Sequence, residues 1–417
     1  MDRFPIGFWN YVDLPGMDRS FDATCVKDWA DAGMTLTMSP NFGPEEVDRM
    51  RSILDAAHEC RMRLILCHYH GYWPHLVREG EEAYRRDFAA AVKALGDHPA
   101  AFGFHVGDEP GTEDFEAACR AMRIQKEMAP HLTPFLNLLP WYKGVAQRVG
   151  FESWAQYLDA YVRAARPEFL CYDCYSQMNP GTEGWDMYFT NLREFSQASE
   201  RNGTPFWTTL LSVGHFRYRC PKEDDLRWQL NTALAHGARG ILWFFFYMRR
   251  THDNYRVSPI DEHWERTETF AWLSRVNRTF LKTTAPVLKD LKLRRVSHTG
   301  APWGGLPAFD GAGLVAHASA SHGGQLIVSE FVRPDGAEYV MVVNNSQADS
   351  TCAQLRLAGP QRARKVGWMA REEAAFQRAE GAETVVEHWL APGQMELFRV
   401  EKQRGAADDA QDGREGC

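Results

Sequence analysis

Ala101-Phe-Gly-Phe-His-Val-Gly-Asp-Glu-Pro110 is an apolar run that stops abruptly at two adjacent carboxylates and a proline. Its mixture of apolar and small residues predicts an interior strand over Ala101 to Gly107. Pro110 stops that strand, because its ring removes the N–H that a ladder needs. Asp108 and Glu109 are left at the carboxyl end, which in a barrel of parallel strands is the end that carries chemistry.

Outward from this run the same texture repeats. Ile6 to Tyr11, Thr35 to Ser39, Leu64 to His70, Thr133 to Leu138, Phe169 to Tyr175, Pro205 to Leu211 and Gly240 to Tyr247 complete a set of eight predicted strands. Amphipathic helical patterns separate them, at Pro44 to Cys60, Glu81 to Leu95, Glu113 to Met128, Ser153 to Ala165, Trp185 to Asn202 and Lys222 to His236. Strands this continuously apolar do not suit a half-exposed antiparallel sheet. Eight strand-and-helix units predict an α/β fold, a (β/α)8 TIM barrel. A doubly wound nucleotide-binding sheet is disfavoured, since Tyr11-Val-Asp-Leu-Pro-Gly16 lacks the glycines of a phosphate loop.

After a last helix, Glu268 to Leu281, the pattern changes at Thr283-Thr-Ala-Pro286. Short β-rich runs broken by Gly, Pro and Asn follow, among them Gln325 to Phe331, Glu338 to Asn344, Thr351 to Leu357 and Met395 to Val400. These predict a small antiparallel β-sandwich. The expected organisation is a barrel over 1–283, a sandwich over 284–400 that stabilises the barrel or an oligomer interface, and a disordered polar tail over 401–417.

The 417 residues carry 47 basic and 55 acidic side chains with no long block of either sign, which argues against nucleic acid or an anionic membrane as partner. Nine Cys, most of them in apolar or helical contexts, read as reduced thiols. The start, Met1-Asp-Arg-Phe-Pro5, has no secretory apolar region and no run is long enough to span a bilayer, so a cytoplasmic location is expected; an exported protein without its leader reads the same way. Aromatics make up 12% of the chain and gather near strand ends, where flat rings with a polar edge suit sugar faces.

Cleaving a glycosidic bond takes one carboxyl that stays protonated and a second that attacks carbon or activates water. Glu109 is the candidate acid: Asp108 beside it, together with partial burial, would raise its pKa. The competing reading has Asp108 capping the next helix and Glu109 facing solvent. Asp173, in Cys171-Tyr-Asp-Cys-Tyr-Ser176, is the candidate second carboxylate, because an ionised Asp in an apolar run is costly without a role. Asp253, Asp261 and Glu262 are its rivals. Around these, Trp9, Tyr11, His68, His70, Trp73, His105, Asn137, Tyr172, Tyr175, Trp207, His215, Trp243 and Tyr247 are candidates to bind a carbohydrate.

Gly107-Asp-Glu-Pro110 at the fourth strand, the aromatic eighth strand Ile241-Leu-Trp-Phe-Phe-Phe-Tyr247 and the C-terminal sandwich resemble the clan A glycoside hydrolases. That clan ends its fourth strand in Asn-Glu, so the resemblance implies that Glu109 is the acid/base and that Asp108 binds the sugar 2-hydroxyl. The chain departs from the pattern twice. Asp stands where the clan has Asn, and Pro205-Phe-Trp-Thr-Thr-Leu-Leu-Ser-Val-Gly-His215 has no carboxylate where the clan's strand-seven nucleophile belongs.

Two other chemistries compete. His68 and His70 share a strand face, and with His105 and His215 they raise a metal-dependent barrel hydrolase, but strands one, five and eight lack the imidazoles such enzymes use. No metal and no cofactor is expected. Ser212 lies in Leu-Leu-Ser-Val-Gly, not in a nucleophile elbow. A barrel that binds carbohydrate without cleaving it is the third reading.

Overall fold

The computed structural model describes residues 3–16, 21–181, 184–249, 254–381 and 383–402. The chain forms two compact units, one of Met1–Leu281 with the turn Trp303–Gly305, the other of Lys282–Pro302 with Leu306 onward.

The first unit is the predicted (β/α)8 barrel. Its strands are β1 Ile6–Phe8, β2 Leu36–Phe42, β3 Arg63–His68, β4 Ala101–Asp108, β5 Phe135–Asn137, β6 Leu170–Asp173, β7 Phe206–Leu211 and β8 Ile241–Phe244. They pair in parallel as two arcs, β2-β3-β4-β5 and β1-β8-β7-β6. Two seams close the ring. The Leu138 N–H donates to the Cys171 carbonyl (2.8 Å) between β5 and β6, and the Thr35 N–H to the Ile6 carbonyl (2.8 Å) between β1 and β2.

Helices α1 Cys25–Asp31, α2 Val47–Glu59, α3 Trp73–Ala91, α4 Phe115–Met128, α5 Val145–Arg148, α6 Trp154–Ala165, α7 Trp185–Asn202, α8 Glu223–Ala235 and α9 Glu268–Lys282 accompany the strands. Their apolar stripes have helical spacing: α2 buries Met50, Ile53, Leu54 and Ala57, and α6 buries Trp154, Tyr157, Leu158, Tyr161 and Ala165. The Ser153 hydroxyl caps α6 by accepting the Gln156 N–H. At α8 the Asp225 carboxylate takes the Lys222 N–H (2.9 Å) and a two-pronged contact from Arg219, so the acidic first turn predicted there does closing work.

Boundaries differ from expectation where local shape intervenes. α1 carries too short an apolar stripe to stand out. α3 begins at Trp73 instead of Glu81, because Gly80, at φ 83°, breaks it into two segments. Strand β8 ends at Phe244, before the Phe245-Phe-Tyr247 segment.

The barrel interior is filled in layers. Phe169 and Trp207 stack at 3.8 Å with Phe102 alongside at the amino-terminal end, and above them Phe135, His105 and Trp9 make edge and tilted contacts. Gly103 permits the close fit of β4 to β5, since a Cβ there would lie 1.8 Å from the Thr133 carbonyl oxygen.

The second unit opens with α10 Ala285–Leu288 and contains strands β9 Lys292–His298, β10 Val315–Ala320, β11 Leu326–Val332, β12 Glu338–Asn344, β13 Thr351–Leu357, β14 Gln361–Val366, β15 Glu372–Ala374, β16 Gln377–Glu380, β17 Glu383–Leu390 and β18 Met395–Lys402. They form an antiparallel four-stranded sheet, β10-β13-β17-β16, and a six-stranded one, β15-β14-β18-β12-β11-β9. Alternating residues such as Thr351, Ala353, Leu355 and Leu357 turn inward to a core that includes Val328, Val342, Val386 and Phe398. The tail expected from 401 begins inside β18, and residues 403–417 lie outside the described residues. Among the described residues no helix is long and apolar enough to cross a membrane.

Candidate active site

The carboxyl end of β4 departs from regular strand geometry. Its pairing with β5 slips between His105 and Gly107, so that Val106 is an extra residue, and Asp108 then lies opposite Asn137. Gly107 has φ +152°, and a Cβ on it would sit 1.7 Å from the Trp73 ring. Glu109 follows with φ 45°, a left-handed conformation that costs a non-glycine residue about 1 kcal/mol or more. Its N–H donates to the Asn137 carbonyl (2.9 Å). Bulge and left-handed turn together bring two consecutive side chains to one cavity.

That cavity, of about 350 Å³, opens at the carboxyl mouth of the barrel and is lined by Trp9, Tyr11, Asp108, Glu109, Asn137, Pro140, Asp173, Cys174, Tyr175, Met187, His215, Phe216, Tyr218 and Phe244. Asn137 organises its charged wall: one side-chain nitrogen donates to Asp108 Oδ1 (3.0 Å) and to Asp173 Oδ1 (2.7 Å). The carboxyls of Glu109 and Asp173 are within hydrogen-bonding reach of each other, and Tyr175 adds a hydrogen bond to Asp173.

Three carboxyl groups so placed cannot all ionise. Burial, then the charges of Asp173 and Asp108, push Glu109 up to about 9; burial and Asp173 raise Asp108 to about 7; burial raises Asp173. Asp108 and Glu109 are nevertheless open to water through the mouth. Glu109 is thus the group that keeps its proton at neutral pH while facing the solvent side of the cavity.

The remaining wall is aromatic. Tyr175 stacks on Phe244 at 4.9 Å, with His215 and Tyr218 edge-on to it, and the Arg249 guanidinium covers the outer face of Tyr11 at 4.0 Å. His215 is pushed down to about 4 by burial and is neutral. Phe216 stands on the rim, 64% exposed.

The structure brings Trp9, Tyr11, Asp108, Glu109, Asn137, Asp173, Tyr175 and His215 to this cavity and leaves the other predicted site residues outside it. Tyr172 points outward and stacks on Phe195 of α7 at 3.9 Å; Trp243 donates to Asn277 of α9 (3.1 Å); Tyr247 accepts from Trp29 of α1. Tyr172 and Trp243 are on the strand face opposite to the barrel interior, and Tyr247 lies beyond the end of β8, against α1. Trp207 does point inward but belongs to the deep layer. His105 lies beneath Trp9 with Nε2 on the Gly107 carbonyl (2.9 Å). Trp73 covers Gly107 from α3.

His68 is buried with Nδ1 accepting the His70 N–H, and His70 stacks on His75, which reaches Asp87 (3.0 Å). The four histidines weighed as metal ligands therefore do not converge. His70, His75 and Asp87 do bring ligand atoms within 4.8 Å of one another, but none of them lines the cavity. Asp261, one rival acid, accepts the His263 and Glu265 N–H groups in an exposed turn; Glu262 is exposed; Asp253 lies outside the described residues.

Pro140, Cys174, Met187, Phe216, Tyr218 and Phe244 complete the lining without having been predicted. Only Phe244 had a signal, the aromatic eighth strand.

No protein-family model matches the sequence, and no curated protein matches it either. Solved structures do. A glycoside hydrolase superposes with a TM-score of 0.59 at 11% identity, over 96% of this chain and 93% of its own. A cold-adapted β-galactosidase from Rahnella sp. R3 gives 0.54 at 12% identity over 71% of this chain, which spans 58% of that enzyme. A family 39 glycoside hydrolase from the gut symbiont Bacteroides cellulosilyticus WH2 gives 0.51 at 12% identity, over 95% of this chain and 81% of its own. At these identities the likeness establishes a fold in common: this chain has the architecture of these three proteins.

Proposed function

We propose that the protein is a glycoside hydrolase in which Glu109 is the general acid and then the general base. The observation that carries this reading is the contact between Glu109 and Asp173 at the open mouth of the barrel. A protonated carboxyl facing a cavity walled by Trp9, Tyr11, Tyr175 and Phe244 meets the first need of glycosidic cleavage, a proton for the departing oxygen. The rings offer apolar faces to a sugar, while Asp108, Asn137 and His215 offer polar edges to its hydroxyls. The fold shared with solved glycoside hydrolases supports the same reading.

Asp173 has a supporting role in this proposal. Set against Glu109, it holds the proton there by its charge, instead of attacking from the far side of a ring. Sterically, nothing as large as a pyranose passes between hydrogen-bonded carboxyls.

The test is a panel of aryl glycosides and oligosaccharides assayed with wild type and Glu109→Gln. Sugar release by the wild type, reduced about 10²- to 10⁴-fold in the variant, is the expected result. Undiminished activity in Glu109→Gln would remove the acid from this site. Binding without release by the wild type would favour the non-catalytic barrel, and loss of wild-type activity to a chelator the metal-dependent one.

A further inference from the structure

Resting on that reading, we infer that the substrate supplies its own nucleophile: the sugar to be cleaved carries a 2-acetamido group, which Asp108 receives. The first ground is the spacing of the acids. A protein nucleophile stands about 5 to 5.5 Å from the acid, and a base that activates water about 6.5 to 9.5 Å from it. Glu109 and Asp173 touch, so neither a ring nor a water fits between them.

The second ground is the opposite wall. Among the described residues lining the cavity, every carboxylate is at the carboxyl end of β4 or β6, whereas β8 and the segments that follow β1 and β7 present Phe244 and Trp9, Tyr11, His215, Phe216 and Tyr218. Ser212, which follows β7, is fully buried and donates to the Phe245 carbonyl (2.9 Å). Tyr175 is made harder to ionise by burial and by the Asp173 charge, the reverse of what a phenolate nucleophile needs.

The third ground is Asp108 itself. Its Oδ1 is held by Asn137, its second oxygen has no hydrogen bond among the described residues, and it faces the open mouth. Where the resembling enzymes place an amide to meet a 2-hydroxyl, this chain places an acceptor, which suits an N–H donor.

The chemistry balances. The acetamido carbonyl oxygen bonds to C1 as the C1–oxygen bond to the leaving group breaks, and the Glu109 proton passes to that departing oxygen. Positive charge spreads onto the amide nitrogen, whose N–H rests on the Asp108 carboxylate. Water then adds at C1, expelling the acyl oxygen, and gives its proton to Glu109. The acid is restored and the sugar leaves with its configuration retained.

The experiment compares 4-nitrophenyl glycosides of 2-acetamido-2-deoxy-glucose and -galactose with the 2-hydroxy parents, in both anomers. We expect kcat/KM higher by about 10² or more for the acetamido substrates, and a stepwise fall as fluorines on the acetyl group weaken its oxygen. Asp108→Asn should lose about 10²-fold on the acetamido substrates, and the fluorine series on wild type serves if that variant does not fold. Equal or faster cleavage of 2-hydroxy glycosides, a flat fluorine series, or covalent labelling of any side chain by a 2-deoxy-2-fluoro glycosyl fluoride would overturn the inference while leaving Glu109 as the acid. Failure to cleave either class would instead overturn the proposed function, and this inference with it.

Discussion

Glu109, just past β4, and Asp173, at the end of β6, come within hydrogen-bonding reach across the space above β5, so the two carboxyls do not both ionise as they would in water. Catalysis that needs the Glu109 proton should fail on the alkaline side as that proton is lost. Asp173→Asn removes the charge that holds it, so the alkaline limb of kcat/KM should move to lower pH. A pH–rate profile of the variant that leaves the limb in place would separate Asp173 from the acid.

The same shift has a consequence for stability. The folded pKa of Glu109, about 9, lies above the unfolded carboxyl value of about 4.3, so the folded state binds more protons between these limits and loses stability as pH rises through them. Glu109→Gln should therefore melt higher than wild type at pH 8, by about 1–3 °C once water access at the mouth is allowed for, and should gain nothing at pH 4. Calorimetry at both values checks this, and a variant that melts lower at pH 8 contradicts it.

Gly107→Ala drives a methyl into the Trp73 ring at a backbone angle that side chains resist. Overpacking of this kind costs about 1–3 kcal/mol, and Glu109, two residues on, should lose its placement. Gly336→Ala, at φ 87° with open space around it, should cost about 1 kcal/mol and leave activity unchanged. Thermal melts paired with kcat/KM distinguish the two.

Tyr175 and Trp243 were equal candidates by composition, yet they face opposite ways. Tyr175→Phe deletes a donor to Asp173 and should change kcat and the pH profile. Trp243→Phe deletes a bond to Asn277 and should lower the melting temperature, at a cost of about 1 kcal/mol, with KM unmoved. A KM change in Trp243→Phe would show that the outer face of β8 reaches the substrate.

The barrel was legible because eight apolar runs separated by 3.6-period helices admit few arrangements, and the run before Pro110 pointed to the charged mouth. Facing was less legible. Tyr172 lies beside Asp173, and a period of two sends one of any such neighbouring pair outward; the same parity removes Trp243 and favours Phe244, whereas Tyr247 lies past the end of β8, where the period no longer holds. Trp207 shows that facing inward is insufficient, since depth along the axis also decides. At β4 parity itself fails: the extra Val106 and the left-handed Glu109 let consecutive residues share a cavity, and nothing in the letters announces a bulge. Tyr218 and Phe216 come from a loop after β7, where no periodicity operates.

The joint between the two arcs of the barrel runs directly under the acids. Asn137 ends β5, Asp173 ends β6, and between these strands the ring is fastened by the Leu138 N–H on the Cys171 carbonyl. Any breathing of the cylinder that parts this joint carries Asp173 away from Glu109, floods both with solvent and lets the proton escape. The potency of the acid is in this way a gauge of how tightly the barrel is shut, and thermal loosening should silence the protein well before it unravels.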